Sequence, residues 1–189
     1  MAKTITASIN GVSIKNLEYF EGHEGGCYQG NVYLDGKLLG FWSQDSWGGP
    51  DNFDFNMFPV TERAKEYYRK NPKPDSLKFF REKTKPEDLD FDNLPVRDVD
   101  TMIEVESLLL EEIAEMANEL KYYKKWSKDG YTVLAKLKCV SGLWPIPKEN
   151  GTIRGFRNTD DARKSFKEIT DKYPYARLFI YEKPEDFIK

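Results

Sequence analysis

The sequence predicts an α+β protein, with an N-terminal antiparallel β-meander packed by a long helix and a C-terminal β-loop-α-β unit. Three observations predict this class. Alternating apolar and polar residues flank Asn10-Gly11 and Asp35-Gly36, two dipeptides that favour two-residue hairpin turns. Apolar residues recur every three or four positions through residues 101–127, as in an amphipathic helix. Strand, loop, helix and strand patterns then fill the last third of the chain.

The meander is expected to contain four or five strands. Residues 4–19 form the first predicted hairpin, and residues 29–34 and 37–43 form the second. Residues 52–58 alternate again and supply a fifth strand, so the sheet is complete by residue 58. Half-buried antiparallel strands alternate in this way because one face meets the core and the other meets water.

Short helical and irregular segments follow the meander. Residues 61–70 predict a helix capped by Thr61, and the proline-rich residues 71–74 end it, because proline lacks a backbone donor and disfavours helix in its predecessor. Residues 75–83 predict another short helix. Residues 84–97 read as a connecting loop.

The clearest prediction is the helix over 101–127. Thr101 and Glu104 have the spacing of a capping box, and Gly130 supplies a stop signal. A helix of this length spans roughly 40 Å, which is enough to cross the meander. The apolar stripe contains Met102, Ile103, Leu109, Leu110, Ile113, Met116, Ala117, Leu120 and Tyr123.

The last third predicts a strand at 131–140, an irregular stretch at 141–157, a helix from about Asn158 to residue 172, and a strand at 176–182. We expect the strands before and after the helix to pair in parallel through a right-handed crossover.

The chain of 189 residues has the size of one domain. We expect one compact domain built from three segments: the meander at 1–60, a helical segment with an acidic linker at 61–130, and the β-loop-α-β unit at 131–189.

Charge is unevenly distributed along the chain. The total is 29 Lys and Arg against 32 Asp and Glu, net −3, which excludes nucleic-acid binding driven by overall charge. The net charge is zero over residues 1–84, −10 over residues 85–120 and +7 over residues 121–189. The acidic and basic parts can therefore attract different partners, or they are simply solvated surfaces.

The composition predicts a cytoplasmic protein. Two cysteines, Cys27 and Cys139, are too few for a disulfide scaffold and are expected to be reduced. The first residues lack the apolar block of a signal peptide. The longest aliphatic run, residues 108–110, is far shorter than a membrane span.

No catalytic set is evident, and we expect no catalytic residue, metal site or cofactor. His23 and Cys27 lie close in a glycine-rich segment, but a zinc site needs three or four ligands, and a nucleophilic pair needs a preoriented base. Asp45, Asp51 and Asp54 are expected to be loop and turn acids. Phosphate-loop, dinucleotide-binding and nucleophile-elbow motifs do not occur.

Two stretches have the character of binding surfaces. In residues 40–55, Trp42, Trp47 and Asp51 are the candidate partner-binding residues. Trp47 lies in the polar loop itself and is the expected exposed anchor, since tryptophan is enriched at interface hot spots. The alternative is that Trp47 folds back over the sheet.

The second stretch, residues 141–157, is unusually long for an irregular connection. Arginines with interleaved aromatic residues suit phosphates and bases, and they equally suit an acidic protein surface. A plain β-hairpin arm around Asn150-Gly151 is the structural alternative. The candidate binding residues of this stretch are Trp144, Lys148, Arg154, Phe156 and Arg157.

The run QGNVYLDGKLLGFWSQDSWGGPDNFDF at 29–55, preceded by SINGVSIKNLEYFEGHEG, resembles the N-terminal module of small proteins carried by bacterial phages and conjugative elements. That set includes type II-A anti-CRISPR inhibitors of Cas9. The resemblance covers about the first third of the chain and carries over no site residue. It implies a small protein that blocks a defence nuclease.

We therefore expect a non-enzymatic interaction protein of a bacterial mobile element, an inhibitor of a Cas9-type nuclease. Its acidic segment at 87–119 would mimic nucleic acid or meet a basic channel. The alternative is a DNA- or RNA-binding accessory protein that uses residues 141–157. A small enzyme is the second alternative.

Overall fold

A computed structural model describes residues 5–23, 25–71, 104–139, 146–173 and 175–189. Within these ranges the chain forms one five-stranded antiparallel sheet, one three-stranded sheet and three α-helices. The mixture confirms the predicted α+β class, including the long helix after the meander. The elements in chain order are β1 (Ser8–Ile9), β2 (Val12–Glu21), β3 (Gly26–Leu34), β4 (Lys37–Ser43), β5 (Asn52–Asp54), α1 (Phe58–Lys70), α2 (Val105–Ser127), β6 (Val133–Cys139), β7 (Ile153–Phe156), α3 (Thr159–Lys172), β8 (Ala176–Tyr181) and a 3₁₀ turn (Pro184–Phe187).

The chain divides into two compact units. Among the described residues, the first unit takes those up to Asn71, those from Glu104 to Lys121, and Pro184–Lys189. The second unit takes Tyr122–Lys183. Helix α2 thus contributes residues to both units. The three segments expected from the sequence stay a prediction.

The first sheet has the strand order β1-β2-β3-β4-β5, with every neighbour antiparallel. Both predicted hairpin turns are present, and both residues of each turn have positive φ: Asn10 at 45° and Gly11 at 79°, then Asp35 at 49° and Gly36 at 82°. These turns pair Ile9 with Val12 and Leu34 with Lys37. Left-handed backbone is what the favoured tight hairpin turns demand.

The predicted end of the meander and start of the next helix were wrong. The fifth strand stops at Asp54, and α1 begins at Phe58, with Pro59 in its first turn. Proline suits that position because its fixed φ matches the helix and its missing donor is not needed there. Thr61 therefore lies inside the helix, where its hydroxyl donates to the Met57 carbonyl at 3.2 Å. The helix ends at Lys70, as predicted.

The long helix is present, but its predicted start was wrong. Glu104 precedes α2 with φ 63°, so it cannot be the third helical residue of a capping box. Its carbonyl instead accepts the Leu108 N–H at 3.2 Å. Thr101, Met102 and Ile103, like the segments predicted at 75–83 and 84–97, lie outside the described residues. The described part of the apolar stripe is confirmed as buried at Leu109, Leu110, Ile113, Met116 and Leu120.

The segment Pro184–Lys189 belongs to the first unit. Ile188 forms a parallel bridge with Ser8 of β1. Lys189 donates its N–H to the Ser8 carbonyl at 2.9 Å and accepts the Asn10 N–H at 2.8 Å. Phe187 is fully buried. This segment therefore covers the β1 edge of the first sheet with backbone hydrogen bonds and an apolar anchor.

The second sheet has the order β7-β6-β8, and both outer strands are antiparallel to β6. The predicted parallel pairing of the strands at 131–140 and 176–182 was wrong. The cause is β7, which lies within the stretch expected to be irregular and reverses the chain before α3. The strands that flank α3 directly, β7 and β8, are parallel to each other but are separated by β6.

Helix α3 packs on one face of this second sheet. Asn158 caps it, accepting the Asp161 N–H at 2.8 Å, which satisfies a backbone donor that the helix start leaves free. Phe166 is the largest side chain in the buried cluster that packs there, and the fully buried Leu137 lies in the same cluster. The cluster contains Val133, Ala135, Leu137, Ala162, Phe166 and Ala176. No helix in the described part of the chain is both long enough and apolar enough to cross a bilayer.

Candidate functional site

Two loops meet at one end of the first sheet. In an antiparallel meander, the ends of β2 and β4 point the same way, so the β2–β3 turn and the β4–β5 loop lie side by side. A backbone hydrogen bond joins them, from the His23 N–H to the Ser46 carbonyl at 2.7 Å. The site consists of these two loops, and we call it the Trp47 site.

The centre of the Trp47 site is an exposed aromatic pair. The rings of His23 and Trp47 stack with their centroids 4.5 Å apart and their planes 28° from parallel. Trp47 nevertheless remains 70% exposed. The expectation that Trp47 is exposed agrees with this geometry, and the alternative in which it folds back as a lid does not. Its role as a partner anchor stays a prediction.

Hydrogen bonds hold the loop that carries Trp47. The Asp45 carboxylate accepts the Trp47 N–H at 2.9 Å, and the Asp45 carbonyl accepts the Gly48 N–H at 3.4 Å. Gln44 is tied to β3, because it exchanges hydrogen bonds with the Tyr28 backbone at 2.9 and 3.0 Å. These hydrogen bonds hold the backbone of the loop beside the β2–β3 turn, where the Trp47 ring stacks on His23.

Trp42 and Asp51 support this loop from beneath. Trp42 is fully buried, and its Nε1–H donates to the Asp51 carboxylate at 2.7 Å. A buried indole does not touch a partner directly. Trp42 and Asp51 instead join the core of the sheet to the far end of the β4–β5 loop.

The side chains of His23 and Cys27 make different contacts at this site. The Cys27 thiol is buried and donates to the carbonyls of Gly25 and Asp45, both at 3.7 Å. The His23 ring lies against Trp47 instead. In the described ranges, no group of three or more His, Cys, Asp and Glu side chains is placed to hold a metal ion.

The Trp47 site is acidic. Residues 16–31 and 43–56, which contain both loops and the strand ends beside them, include six Asp and Glu and no Lys or Arg. The pKa of Tyr19 is raised because the Tyr19 hydroxyl donates a hydrogen bond to the exposed Glu21 carboxylate. The local field therefore favours cations.

The second surface predicted from the sequence is divided by the structure. Arg154 and Phe156 lie on β7, two residues apart and on one face of the sheet. Phe156 packs against the buried cluster, 6.2 Å from the Phe166 ring. The Arg154 guanidinium lies 5.3 Å from the same ring and donates to the Ser165 hydroxyl at 3.4 Å. Both residues thus cover the α3 side of the sheet.

The remaining candidates of that surface stand apart from this pair. Lys148 and Arg157 are exposed. Residues 147–152 turn back toward β6, where Gly151 (φ 79°) donates to the Leu137 carbonyl at 2.8 Å. Asn150-Gly151 therefore lies in a turn, but in the described residues β7 pairs with β6, so the alternative of a β-hairpin arm around Asn150-Gly151 is not the pairing that forms. Trp144 lies outside the described residues.

An aromatic group that sequence reasoning missed lies in the second unit. A Cβ built on Gly155 of β7 would be 3.1 Å from ring atoms of both Trp126 and Tyr131. Tyr122, one helical turn before Trp126, places its ring 5.5 Å from the indole. The sequence signal was the helix spacing of Tyr122 and Trp126, together with a glycine inside a strand, which often marks a close approach.

Helices α1 and α2 share a polar cluster in the first unit. The Glu112 carboxylate accepts hydrogen bonds from the hydroxyls of Tyr67 and Tyr68 at 2.9 and 3.1 Å, and from the Lys189 ammonium at 3.0 Å. Burial, followed by the nearby Glu112 charge, raises the pKa of both tyrosines well above the usual range. The Glu112 carboxylate of α2 is therefore hydrogen-bonded within the first unit.

Known proteins add no assignment to this geometry. The chain matches no protein-family model, no curated protein and no solved structure.

Proposed function

We propose that this chain is a non-enzymatic interaction protein that contacts a basic surface of a partner protein through the Trp47 site. The N-terminal resemblance implies the partner class, a defence nuclease of the Cas9 type, which the protein would inhibit. The observation that carries the proposal is the exposed Trp47 ring, held against His23 by a hydrogen-bonded loop.

The geometry favours binding over a merely structural role for Trp47. A tryptophan that leaves 70% of its surface in water gains little folding free energy from burial. A fixed loop makes the same ring a large contact surface that loses little entropy on association. Tryptophan anchors of this kind commonly dominate an interface.

The charge of the site selects the kind of partner. The six carboxylates along 16–31 and 43–56 attract cations, and the face of an indole binds an arginine or lysine group by cation–π attraction. A nuclease presents such cations along the channel that holds its nucleic acid. The acidic site would therefore occupy part of that channel.

The test measures binding of the whole chain to a purified Cas9-type nuclease. Trp47→Ala is expected to weaken binding at least about 30-fold, since a hot-spot truncation costs about 2 kcal/mol or more. Phe58→Ala is the matched control, because Phe58 is 67% exposed at the start of α1 and is also in the first unit. It should leave the affinity within about twofold.

Charge reversal gives a second, independent test. Glu21→Lys, beside the Trp47 site, should slow association and reduce its dependence on salt. Glu62→Lys makes the same change in net charge on α1 and should have a smaller effect. The proposal is wrong if the nuclease does not bind the unmodified chain, or if the paired variants weaken binding equally.

A further inference from the structure

We infer that the second unit carries a separate surface that binds single-stranded nucleic acid. The surface consists of the rings of Tyr122, Trp126 and Tyr131, with Lys125, Lys128 and Arg157 beside them. We call it the Trp126 surface. It is distinct from the Trp47 site, and the inference does not depend on the function proposed for that site.

The rings of the Trp126 surface are positioned by the backbone. The Trp126 carbonyl accepts the N–H groups of Asp129 and Tyr131, at 2.9 and 3.2 Å. Gly130, with φ 84°, allows the chain to reverse there. The chain leaving α2 therefore places Tyr131 next to Trp126.

The β7 strand supplies the floor beneath these rings. Gly155 has no side chain, so Trp126 and Tyr131 lie close to the strand backbone, and a Cβ at this position would push on both rings from 3.1 Å. The Thr132 hydroxyl donates to the Arg157 carbonyl at 2.6 Å, and its N–H donates to the Phe156 carbonyl at 3.0 Å. Arg157 is thereby held close to the aromatic group.

The rings remain available to a ligand. Tyr122 is 39% exposed and Tyr131 is 40% exposed, whereas Trp126 is half-buried between them. Exposed rings of this size stack on nucleobases without requiring a particular sequence, because every base has a π face. Bases are free to stack on a protein only where they are unpaired, so a single strand is favoured over a duplex.

The charge of this region fits a phosphate backbone. From Tyr122 to Lys148 the sequence has one acidic residue, Asp129, and six Lys, of which Lys136 is buried. Over residues 122–183, Lys and Arg number 14 and Asp and Glu number 7. Lys125, Lys128 and Arg157 are exposed. An acidic protein surface would also pair with these cations, but a single strand additionally offers bases that stack on the exposed rings of Tyr122 and Tyr131.

The experiment measures binding of the whole chain to a fluorescent thymidine oligonucleotide of about 20 nucleotides. We expect binding at low salt, with affinity falling steeply between about 50 and 200 mM salt. A duplex of the same length should bind more weakly. Absence of binding at low salt, or equal affinity for the duplex, overturns the inference.

Two pairs of variants locate the contact. Tyr131→Ala should lower the affinity by about 5- to 100-fold, whereas Tyr131→Phe, which keeps the ring, should change it little. The double variant Lys125→Glu, Arg157→Glu should weaken binding and reduce the salt dependence. Arg163→Glu, Lys164→Glu makes the same change in net charge on α3 and should have a smaller effect. The inference fails if both charge reversals weaken binding equally, because binding would then reflect overall charge.

Discussion

The two units of this chain have opposite charges and different kinds of exposed aromatic residue. The described part of the first unit contains 16 Asp and Glu and 8 Lys and Arg, whereas residues 122–183 contain 7 and 14. In the first unit, a histidine and a tryptophan stack among carboxylates. In the second, three aromatic rings group among lysines. A net charge of −3 for the whole chain therefore conceals two regions of opposite charge.

The units also differ in how their cores are filled. Large side chains, including Trp42, Tyr68 and Phe187, fill the core of the first unit. In the second unit, Phe166 packs in a buried cluster with Val133, Leu137 and three alanines, and partly buried side chains such as Phe156 pack against that cluster. Phe166 is the largest side chain of the cluster, so the packing of α3 on the second sheet depends strongly on it.

The largest expected effect on stability comes from removing the Phe166 ring. Phe166→Ala should lower the free energy of unfolding by about 3–5 kcal/mol, because it leaves a cavity in the buried cluster under α3. Hydrogen exchange should then accelerate in β6, β7 and β8 while β2, β3 and β4 stay protected. Phe166→Leu, which keeps most of the volume, should cost about 1.5 kcal/mol or less. Equal acceleration in both sheets would mean that the units unfold together.

The next effect belongs to the first unit and depends on pH. The pKa values of Tyr67 and Tyr68 are raised in the folded state, so above about pH 10 the unfolded chain loses protons that the folded chain keeps. Their contribution to stability is complete below that pH and declines above it, by up to about 1.4 kcal/mol per pH unit for each tyrosine.

Urea unfolding between about pH 8 and pH 11 measures this decline. The double variant Tyr67→Phe, Tyr68→Phe should lose stability less steeply than the unmodified chain. Identical slopes in the two proteins would contradict the role of burial and Glu112.

The smallest effect compares helix starts in the two units. Asn158→Ala removes the side-chain cap of α3 and should cost about 1 kcal/mol. Helix α1 has no side-chain cap at Met57, so Met57→Ala should lower the stability by less, because no capping hydrogen bond is lost. Thermal unfolding of both variants measures the difference. If Asn158→Ala leaves the melting temperature unchanged, the cap contributes nothing to stability.

Sequence reasoning succeeded where structure depends on near neighbours. The two hairpins follow from Asn10-Gly11 and Asp35-Gly36, and the buried stripe of α2 follows from its spacing. The same reasoning misplaced the start of α1, because residues 52–58 alternate like a strand, whereas Phe58 already begins the helix and Pro59 lies in its first turn. The same reasoning wrongly placed Glu104 inside the first turn of α2. The residue type and spacing of Glu104 fit a capping box, but its backbone has a positive φ.

The sites required information that local patterns lack. Once both hairpins are predicted, the strand order of the meander is enough to place the His23 and Trp47 loops at the same end of the sheet. The approach of Trp126 and Tyr131 to Gly155 depends on β7, a four-residue strand with no alternating pattern. Short strands of this kind form because a longer partner, here β6, supplies the pairing.

The parallel bridge between Ile188 and Ser8 has a practical consequence for anyone dividing this chain into fragments. The first unit is assembled from three separate stretches of sequence, so a protein cut after residue 71 would lack both Glu112 and Phe187. During synthesis, the opening hairpins must likewise wait for residues 184–189 before β1 is covered. Any fragment meant to contain the first unit therefore has to include that segment.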